Sequence, residues 1–420
     1  MGILHSDKLI VGYDLGNRFS QISFALSETG DVETLSMVAG SQNYNIPTVL
    51  CKRYGANQWF FGREALRYAE EEQGVLVENL LELALDGEPV IIEGETFNPV
   101  ALLALFFKRS LGLLSSVGSP DKVTAIMITC PTMDRRMMDV LGEVVDGLNL
   151  KSDRVFYQSH TESFYDYMIH QPKELWTQRV LLFHYREKDV KTYCMECNRR
   201  TTPVVTFVEE QEFLFTEYPG LENQDDEVFG EIARKACGEE LVSCAFLIGD
   251  GFAGEWLKES LRFLCQGRRV FQGNNLFSKG ACHGMQERLQ ETEEGKSHVF
   301  LGKDKLKANI GMKILRNGQD SYYALLDAGG NWYEAETEME FYLQDGNSFE
   351  VMITPLIGKN AKTAVITLED LPGNIARLYM KVYMESESKM TLEITDLGFG
   401  EFRLPSEKSW TESVDIYEKE

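Results

Sequence analysis

The stretch VGYDLGNRFS, residues 11–20, has the residue types of a loop that holds phosphate. A short apolar run ends at Asp14, whose carboxylate could face a phosphate or a metal ion, or could simply cap a hairpin turn. Gly16 follows, and a glycine lets backbone N–H groups close on an anion because it carries no Cβ. A second strand then alternates through apolar positions, which predicts a β-hairpin. The candidate ligand-binding residues of this hairpin are Asp14, Gly16, Asn17 and Arg18.

The composition limits the classes of partner that the chain can bind. The 420 residues include 42 Lys and Arg against 66 Asp and Glu, a formal net charge of −24. A field of that sign repels nucleic acid and anionic lipid, so we predict no nucleic-acid and no membrane partner. The longest apolar stretch, PVALLALFF at 99–107, is too short to span a bilayer. The N-terminus has no basic region followed by an apolar core, which favours a cytoplasmic protein.

The eight cysteines are scattered through otherwise apolar segments, which indicates reduced thiols. Cys194 and Cys197 form the single C-x-x-C, in a segment with the pattern of a strand, where residues three apart point to opposite faces. No second pair completes a zinc site. We therefore predict buried strand cysteines and no metal.

The chain changes character near residue 298. Before it, strand–helix units alternate with a hairpin or small meander at RVLLFHYREKDVKTYCMECN, which predicts an α/β domain. One strong helix is NPVALLALFFKRSLGLLSSVG, with Asn98 as its cap and Pro99 at its first position. After residue 298, short alternating segments recur without a convincing long helix, the pattern of an all-β sandwich.

The order of these segments resembles the DnaK-type 70-kDa heat-shock chaperones of the actin-like ATPase superfamily. GYDLGNRFS resembles their first phosphate loop, and AFLIGDGFAGEWLKESLRFL stands where their adenosine motif occurs. FLGKDKLKANIGMKIL corresponds in position to their interdomain linker. LPGNIARLYMKVYMESESKMTLEITDLGFGE is similar to the closing strands of their peptide-binding sandwich. The resemblance implies an actin-like (ribonuclease-H-like) two-lobed α/β domain at 1–298, with lobes at about 1–160 and about 161–298, and a β-sandwich at 299–420 without a helical lid.

The second phosphate loop departs from the family pattern. It falls on HYREKDVK, residues 184–191, where His184 and Lys191 replace the two metal-organising aspartates. Arg186, Glu187 and Lys188 replace the three glycines that would cradle phosphate. Arg18 and Lys188 could bind an anion directly, since two cations would partly replace the lost metal charge.

Of the remaining positions of the family pattern, some keep an expected residue type and others do not. Gln158 stands at the connecting-helix glutamate, where actins use glutamine to orient water, and Asn79 falls at the catalytic lysine. The adenosine motif keeps Gly249 and Gly251 but has Asp250 where a small residue is expected. The short spacing between the second phosphate loop and this adenosine motif implies that the upper part of the second lobe is missing.

These departures predict a degenerate member of the family. Phosphoryl transfer depends on positioning and on charge stabilisation by metal, lysine and backbone donors, most of which are replaced here. We predict a non-hydrolysing scaffold or chaperone-like module, without a cofactor, that binds a protein or peptide client through its C-terminal sandwich. The alternative is a slow or atypical chaperone driven by ATP or ADP with Mg²⁺, with Asp14 and Gln158 as its catalytic candidates. A third possibility is that the cleft binds another small anion.

Overall fold

The computed structural model describes residues 9–38, 40–118, 123–148, 154–186, 189–218, 224–344, 346–356, 361–371, 373, 375–406 and 408–417. The chain divides after Phe300 into two compact units. This division falls two residues beyond the boundary expected from the change in sequence pattern.

The first part of the N-terminal unit is built on a six-stranded sheet with the order β11-β10-β1-β2-β3, in which β4 also pairs with β2. Strands β1 and β2 form the predicted antiparallel hairpin, and β10 and β11 add parallel to β1. The elements of this part are β1 (Leu9–Asp14), β2 (Phe19–Ala25), β3 (Glu33–Thr34), β4 (Ile46–Pro47), β5 (Leu50–Arg53), β6 (Trp59–Phe61), α1 (Gly62–Glu70), β7 (Gly74–Val77), α2 (Leu80–Asp86), β8 (Val90–Ile92), β9 (Glu95–Phe97), α3 (Pro99–Leu111), β10 (Val123–Cys130), α4 (Arg135–Gly147), β11 (Val155–Ser159) and α5 (His160–Ile169).

The second part of this unit carries another six-stranded sheet, with the order β16-β15-β12-β13-β14-β17. Strands β12, β13 and β14 form the predicted meander, and β15 and β16 add parallel to β12. The elements are β12 (Arg179–Arg186), β13 (Asp189–Asn198), β14 (Val204–Leu214), α6 (Asp225–Cys237), β15 (Val242–Ile248), α7 (Glu259–Leu264), β16 (Arg269–Gln272), α8 (Leu276–Leu289), α9 (Glu293–Ser297) and β17 (His298–Phe300).

The two sheets repeat one topology. In each, three consecutive strands pair antiparallel, and two later strands extend the sheet in parallel on the other side of the first strand. The repeat places the ends of β1 and β12 at equivalent positions. In the register of each hairpin, Asp14 lies opposite Gln21 and His184 lies opposite Lys191.

Helices α5 and α8 pack between the two sheets. Phe164 of α5 and Phe277 of α8 belong to the core beneath the second sheet, whereas Ala281 of α8 belongs to the core beneath the first sheet. A Cβ at Gly280 would overlap the carbonyl oxygen of Ser163, so the two helices are in backbone contact there. Although α8 falls in the second lobe by sequence, it therefore packs against both sheets.

Helix α3 packs against the face of the first sheet that carries Tyr13. Asn98 caps this helix, as predicted, by accepting from the N–H groups of Val100 and Ala101. Tyr13 stacks on Phe107 with ring centroids 4.2 Å apart. In the described part of the chain, the segment 99–116 is the one helical stretch that is long and apolar enough to cross a membrane by length and composition, because the helical run continues past the apolar stretch through Ser116.

The C-terminal unit consists of strands and short turns in its described residues. Its two four-stranded antiparallel sheets, with orders β19-β18-β21-β22 and β20-β23-β24-β25, bury their alternate residues in one shared core. The strands are β18 (Ala308–Arg316), β19 (Gln319–Leu326), β20 (Glu336–Gln344), β21 (Ser348–Pro355), β22 (Lys362–Thr367), β23 (Ile375–Met384), β24 (Lys389–Asp396) and β25 (Ser409–Asp415).

Replacing Gly280 by alanine tests the helix contact between the sheets. We expect Gly280→Ala to lower the free energy of unfolding by about 2 kcal/mol or more, because the added methyl group forces α8 away from Ser163. The matched variant is Gly142→Ala in α4, where a Cβ meets open space. That variant should raise stability by about 0.5–1 kcal/mol through helix propensity. Urea unfolding of the full chain gives both values, and equal effects would contradict the packing argument.

Candidate functional site

A pocket lined mainly by polar side chains lies between the first hairpin and the second sheet, with a cavity volume of about 40 Å³. It brings together four of the residues predicted from sequence, namely Asp14, Arg18, Gly249 and Asp250. It adds residues that the sequence analysis did not assign to a ligand site, among them Gln21, Asn45, Arg186 and Phe277. His184, predicted at the second loop, also lines it.

Asp14 is held at the floor of the pocket by a histidine. Both residues are buried, and His160 Nε2 lies 2.8 Å from Asp14 Oδ1. Burial lowers the pKa of His160, although Asp14 acts in the opposite direction, so the ring is neutral and donates from Nε2. The His160 ring stacks on Phe277 with centroids 3.8 Å apart. His160 begins α5 and Phe277 lies in the first turn of α8, so the helix pair between the sheets fixes one oxygen of the predicted phosphate- or metal-facing carboxylate.

Gly16 shapes the turn of the first hairpin, and Asn17 joins that hairpin to the start of α2. A Cβ at Gly16 would overlap the carbonyl oxygen of Phe19, so the turn closes only with glycine. Asn17 Oδ1 accepts from the backbone N–H of Glu82 at 3.2 Å, and Asn17 Nδ2 donates to Asn79 Oδ1 at the same distance. Asn17 thereby satisfies an N–H group in the first turn of α2. Asn79, which the resemblance places at the catalytic lysine, lies beside this loop.

The second hairpin presents side chains at positions where the chaperones that the sequence resembles have glycine and aspartate. Arg186 Nε donates to His184 Nε2 at 2.6 Å. Burial and then the charge of Arg186 hold the pKa of His184 well below its usual range, so His184 is neutral. Lys191, opposite His184, forms an ion pair with Glu210 at 2.8 Å. Lys188, a predicted anion-binding residue, lies outside the described residues.

The glycines after β15 permit close contact with β12. Gly249 has φ +103°, and a Cβ there would overlap the carbonyl oxygen of Tyr185. A Cβ at Gly251 would overlap the Tyr185 ring. That ring lies in an aromatic cluster with Phe252 and Trp256, at centroid distances of 5.3 and 5.8 Å. Both glycines are therefore required by the packing of Tyr185.

An ion pair joins the two predicted loops. Arg18 Nη1 lies 2.9 Å from Asp250 Oδ2, and the side chains are 54% and 33% exposed. Asp14 and His184 are buried, so the floor of the pocket is shielded while the ion pair lies on its solvent side. An ion pair this exposed contributes little to stability, but it connects the first hairpin to the loop after β15.

Gln158 lies away from the described lining of this pocket. Its Nε2 donates to Ser163 Oγ at 2.8 Å, and Ser163 Oγ donates to Thr129 Oγ1 at 2.7 Å. The chain of hydrogen bonds ties β11 to α5 and β10, a structural use of the amide. Throughout the described residues, no three His, Cys, Asp or Glu side chains are grouped as a metal ion requires. Cys194 and Cys197 lie on β13, as predicted, but both are half-buried rather than buried.

Gln21 is the pocket residue with an unsatisfied polar atom. It is 6% exposed, and its Nε2 donates to Asn45 Oδ1 at 2.6 Å. Its Oε1 is buried and has no hydrogen-bond partner among the described residues. The register of the predicted hairpin could have identified this residue, because the position opposite Asp14 shares its face of the sheet.

The fold and the site define an α/β protein with two sheets of one topology and a polar pocket between them, joined to an all-β unit. The chain belongs to the family described as "Family of unknown function (DUF5716) C-terminal", whose model matches residues 31–303. Residues 305–416 match a second model, described as "Domain of unknown function (DUF8552)". The two matches meet close to the division between the compact units. No curated protein matches the chain.

A double-mutant cycle tests the buried Asp14–His160 hydrogen bond. His160→Phe keeps the stacking on Phe277 but removes the donor, so we expect a loss of about 2–4 kcal/mol in the free energy of unfolding. Adding Asp14→Leu removes the carboxylate that His160→Phe leaves unpaired. The double variant should therefore lose at least about 1 kcal/mol less free energy of unfolding than the two single variants lose in sum.

The control for this cycle is His298→Phe, because His298 hydrogen-bonds to the neutral groups Ser297 Oγ and Glu294 O. The His298→Phe variant should lose about 1 kcal/mol in the free energy of unfolding. Additive effects of the Asp14 and His160 substitutions in urea unfolding would show that the two side chains are not coupled.

Proposed function

We propose that the N-terminal unit is a degenerate actin-like domain that does not hydrolyse ATP, and that the protein is a scaffold or chaperone-like module. The repeated sheet topology supports the actin-like assignment, since it places two equivalent hairpins on either side of one pocket. The observation that carries the proposal is the filling of the second hairpin by Tyr185, Arg186 and His184 where a phosphate cradle needs bare backbone N–H groups.

The charges of the pocket support the same conclusion. Mg²⁺ binds through carboxylates and substrate phosphates, but the positions of the family's two aspartates hold a neutral His184 and a paired Lys191. Asp14 accepts from His160, and Asp250 is paired with Arg18. These residues do not fit a magnesium nucleotide.

Binding of a protein client is supported by two exposed apolar side chains on a hydrogen-bonded turn of the C-terminal unit. The buried Asp396 accepts from the backbone N–H groups of Gly398 and Ser406 and from Arg403, which fixes the loop that follows β24. This loop carries Phe402 and Leu404, which are 99% and 76% exposed. A fixed loop that displays large apolar side chains is suited to a short peptide with complementary apolar residues.

A nucleotide titration tests the loss of ATPase function. We expect no saturable binding of ATP, with or without Mg²⁺, up to about 1 mM, a limit that corresponds to about −4 kcal/mol. Phosphate release should equal that of buffer with Mg²⁺ and ATP alone. The control is Asp14→Ala, which should leave both results unchanged. Turnover in the wild-type chain that Asp14→Ala abolishes would instead support the alternative, a slow ATP-driven chaperone.

Paired serine substitutions test the client surface. Phe402→Ser with Leu404→Ser should weaken binding to an immobilised library of short overlapping peptides by about ten-fold or more, because exposed apolar anchors carry much of such affinity. The matched control is Leu315→Ser with Val365→Ser, which removes two exposed apolar side chains from β18 and β22. Equal binding by both double variants, with unchanged circular dichroism, would place the client elsewhere.

A further inference from the structure

The first hairpin presents two hydrogen-bond acceptors side by side in the pocket. Asp14 and Gln21 lie directly opposite each other in the β1–β2 register, so their side chains share one face of the sheet. Asp14 is a carboxylate fixed by His160, and Gln21 Oε1 is a buried oxygen without a described partner. A buried acceptor left without a donor costs free energy comparable to a lost hydrogen bond. The arrangement suits a group that is positively charged and rich in N–H donors.

The second hairpin presents a cation to the same pocket. Arg186 is partly buried, and its recorded hydrogen bond within the described chain uses Nε to reach His184. Its two terminal nitrogens are not used by this bond, and a guanidinium presents them as a fork that matches a carboxylate. The influence of Arg186 on the pKa of His184 agrees with a positive charge that is felt inside the pocket.

We propose that this pocket binds a small zwitterion of the amino-acid class, with its ammonium group on Asp14 and Gln21 and its carboxylate on Arg186. A lone anion would satisfy Arg186 but would face the Asp14 carboxylate and leave Gln21 Oε1 unpaired. A lone cation would satisfy Asp14 and Gln21 but would leave the charge of Arg186 unmatched. A ligand with both charges satisfies all three side chains, and Phe277 supplies an apolar wall beside them.

The inference does not depend on the client-binding role of the C-terminal unit. It rests on the residues of the N-terminal pocket alone, and its readout differs from that of the nucleotide titration. A chain that binds neither ATP nor peptides could still bind the zwitterion, so the two proposals fail separately.

Calorimetric titration of the full chain with matched probes tests the ligand class. We expect saturable binding of at least one of glycine, β-alanine and 4-aminobutyrate, which carry the two charges at increasing separation. Acetate and methylammonium should each bind about ten-fold more weakly or worse, because each meets one half of the site. Glycine betaine has both charges but no N–H donor, and it should not bind. Equal binding of acetate or inorganic phosphate would identify an anion site, and no binding of any zwitterion would also overturn the proposal.

Two variants test which residues bind the ammonium group and the carboxylate of the zwitterion. Gln21→Leu removes the buried acceptor and Arg186→Met removes the cation, and each should weaken zwitterion binding by about ten-fold or more. The controls are Gln319→Leu and Arg316→Met, exposed positions at the β18–β19 turn that should leave binding unchanged. Unchanged affinity in both folded pocket variants would overturn the assignment. If a pocket variant fails to fold, the selectivity of the wild-type chain among the six organic probes still decides the ligand class.

Discussion

The backbone contact between α5 and α8 is the constraint on which the site depends. Because Gly280 leaves no room for a side chain against Ser163, the two helices lie as one layer between the sheets. His160 at the start of α5 stacks on Phe277 at the start of α8, and this stack lies between Asp14 of the first sheet and His184 of the second. The distance between the two equivalent hairpins is therefore set by helix packing beneath them. A close-packed layer of this kind transmits small changes in side-chain volume to the geometry of the pocket.

Most charges that the sequence offers to a ligand are matched within the protein. Arg18 pairs with Asp250, Lys191 pairs with Glu210, and Asp14 accepts from His160. Such internal pairing reduces the electrostatic attraction that the pocket exerts on a multiply charged nucleotide. Arg186 and Gln21 differ from these residues, because the guanidinium of Arg186 is bound to a neutral histidine and Gln21 Oε1 has no described partner. The binding capacity of the pocket is therefore confined to a small region with one cation and two adjacent acceptors.

The sequence predicted many elements because their local patterns are strong, but it missed the helix that organises the site. The hairpin at Asp14, the buried strand β10 and the capped helix α3 follow from alternation, β-branched runs and an Asn-Pro start. Helix α8 was not predicted, because Gly280 and Gly284 lower helix propensity and interrupt the apolar period. Those glycines are required by neighbours distant in sequence, Ser163 and the side chains of Asp166 and Gln158. Phe277, which lines the pocket, and His160, which holds Asp14, were missed for the same reason, since their roles arise only when α5 meets α8.

The glycine motifs that suggested phosphate binding have a second physical cause in this chain. Gly16 is required by the carbonyl of Phe19, and Gly249 and Gly251 are required by the backbone and ring of Tyr185. Glycine permits close approach of any group to the backbone, whether that group is a phosphate or another part of the protein. In the chaperone pattern that the sequence resembles, the second loop leaves space for phosphate, whereas here Gly249 lies against the carbonyl oxygen of Tyr185 and Gly251 lies against its ring. A glycine loop therefore indicates a ligand only when the space above it is free, and at Gly249 and Gly251 the nearest space is occupied by Tyr185.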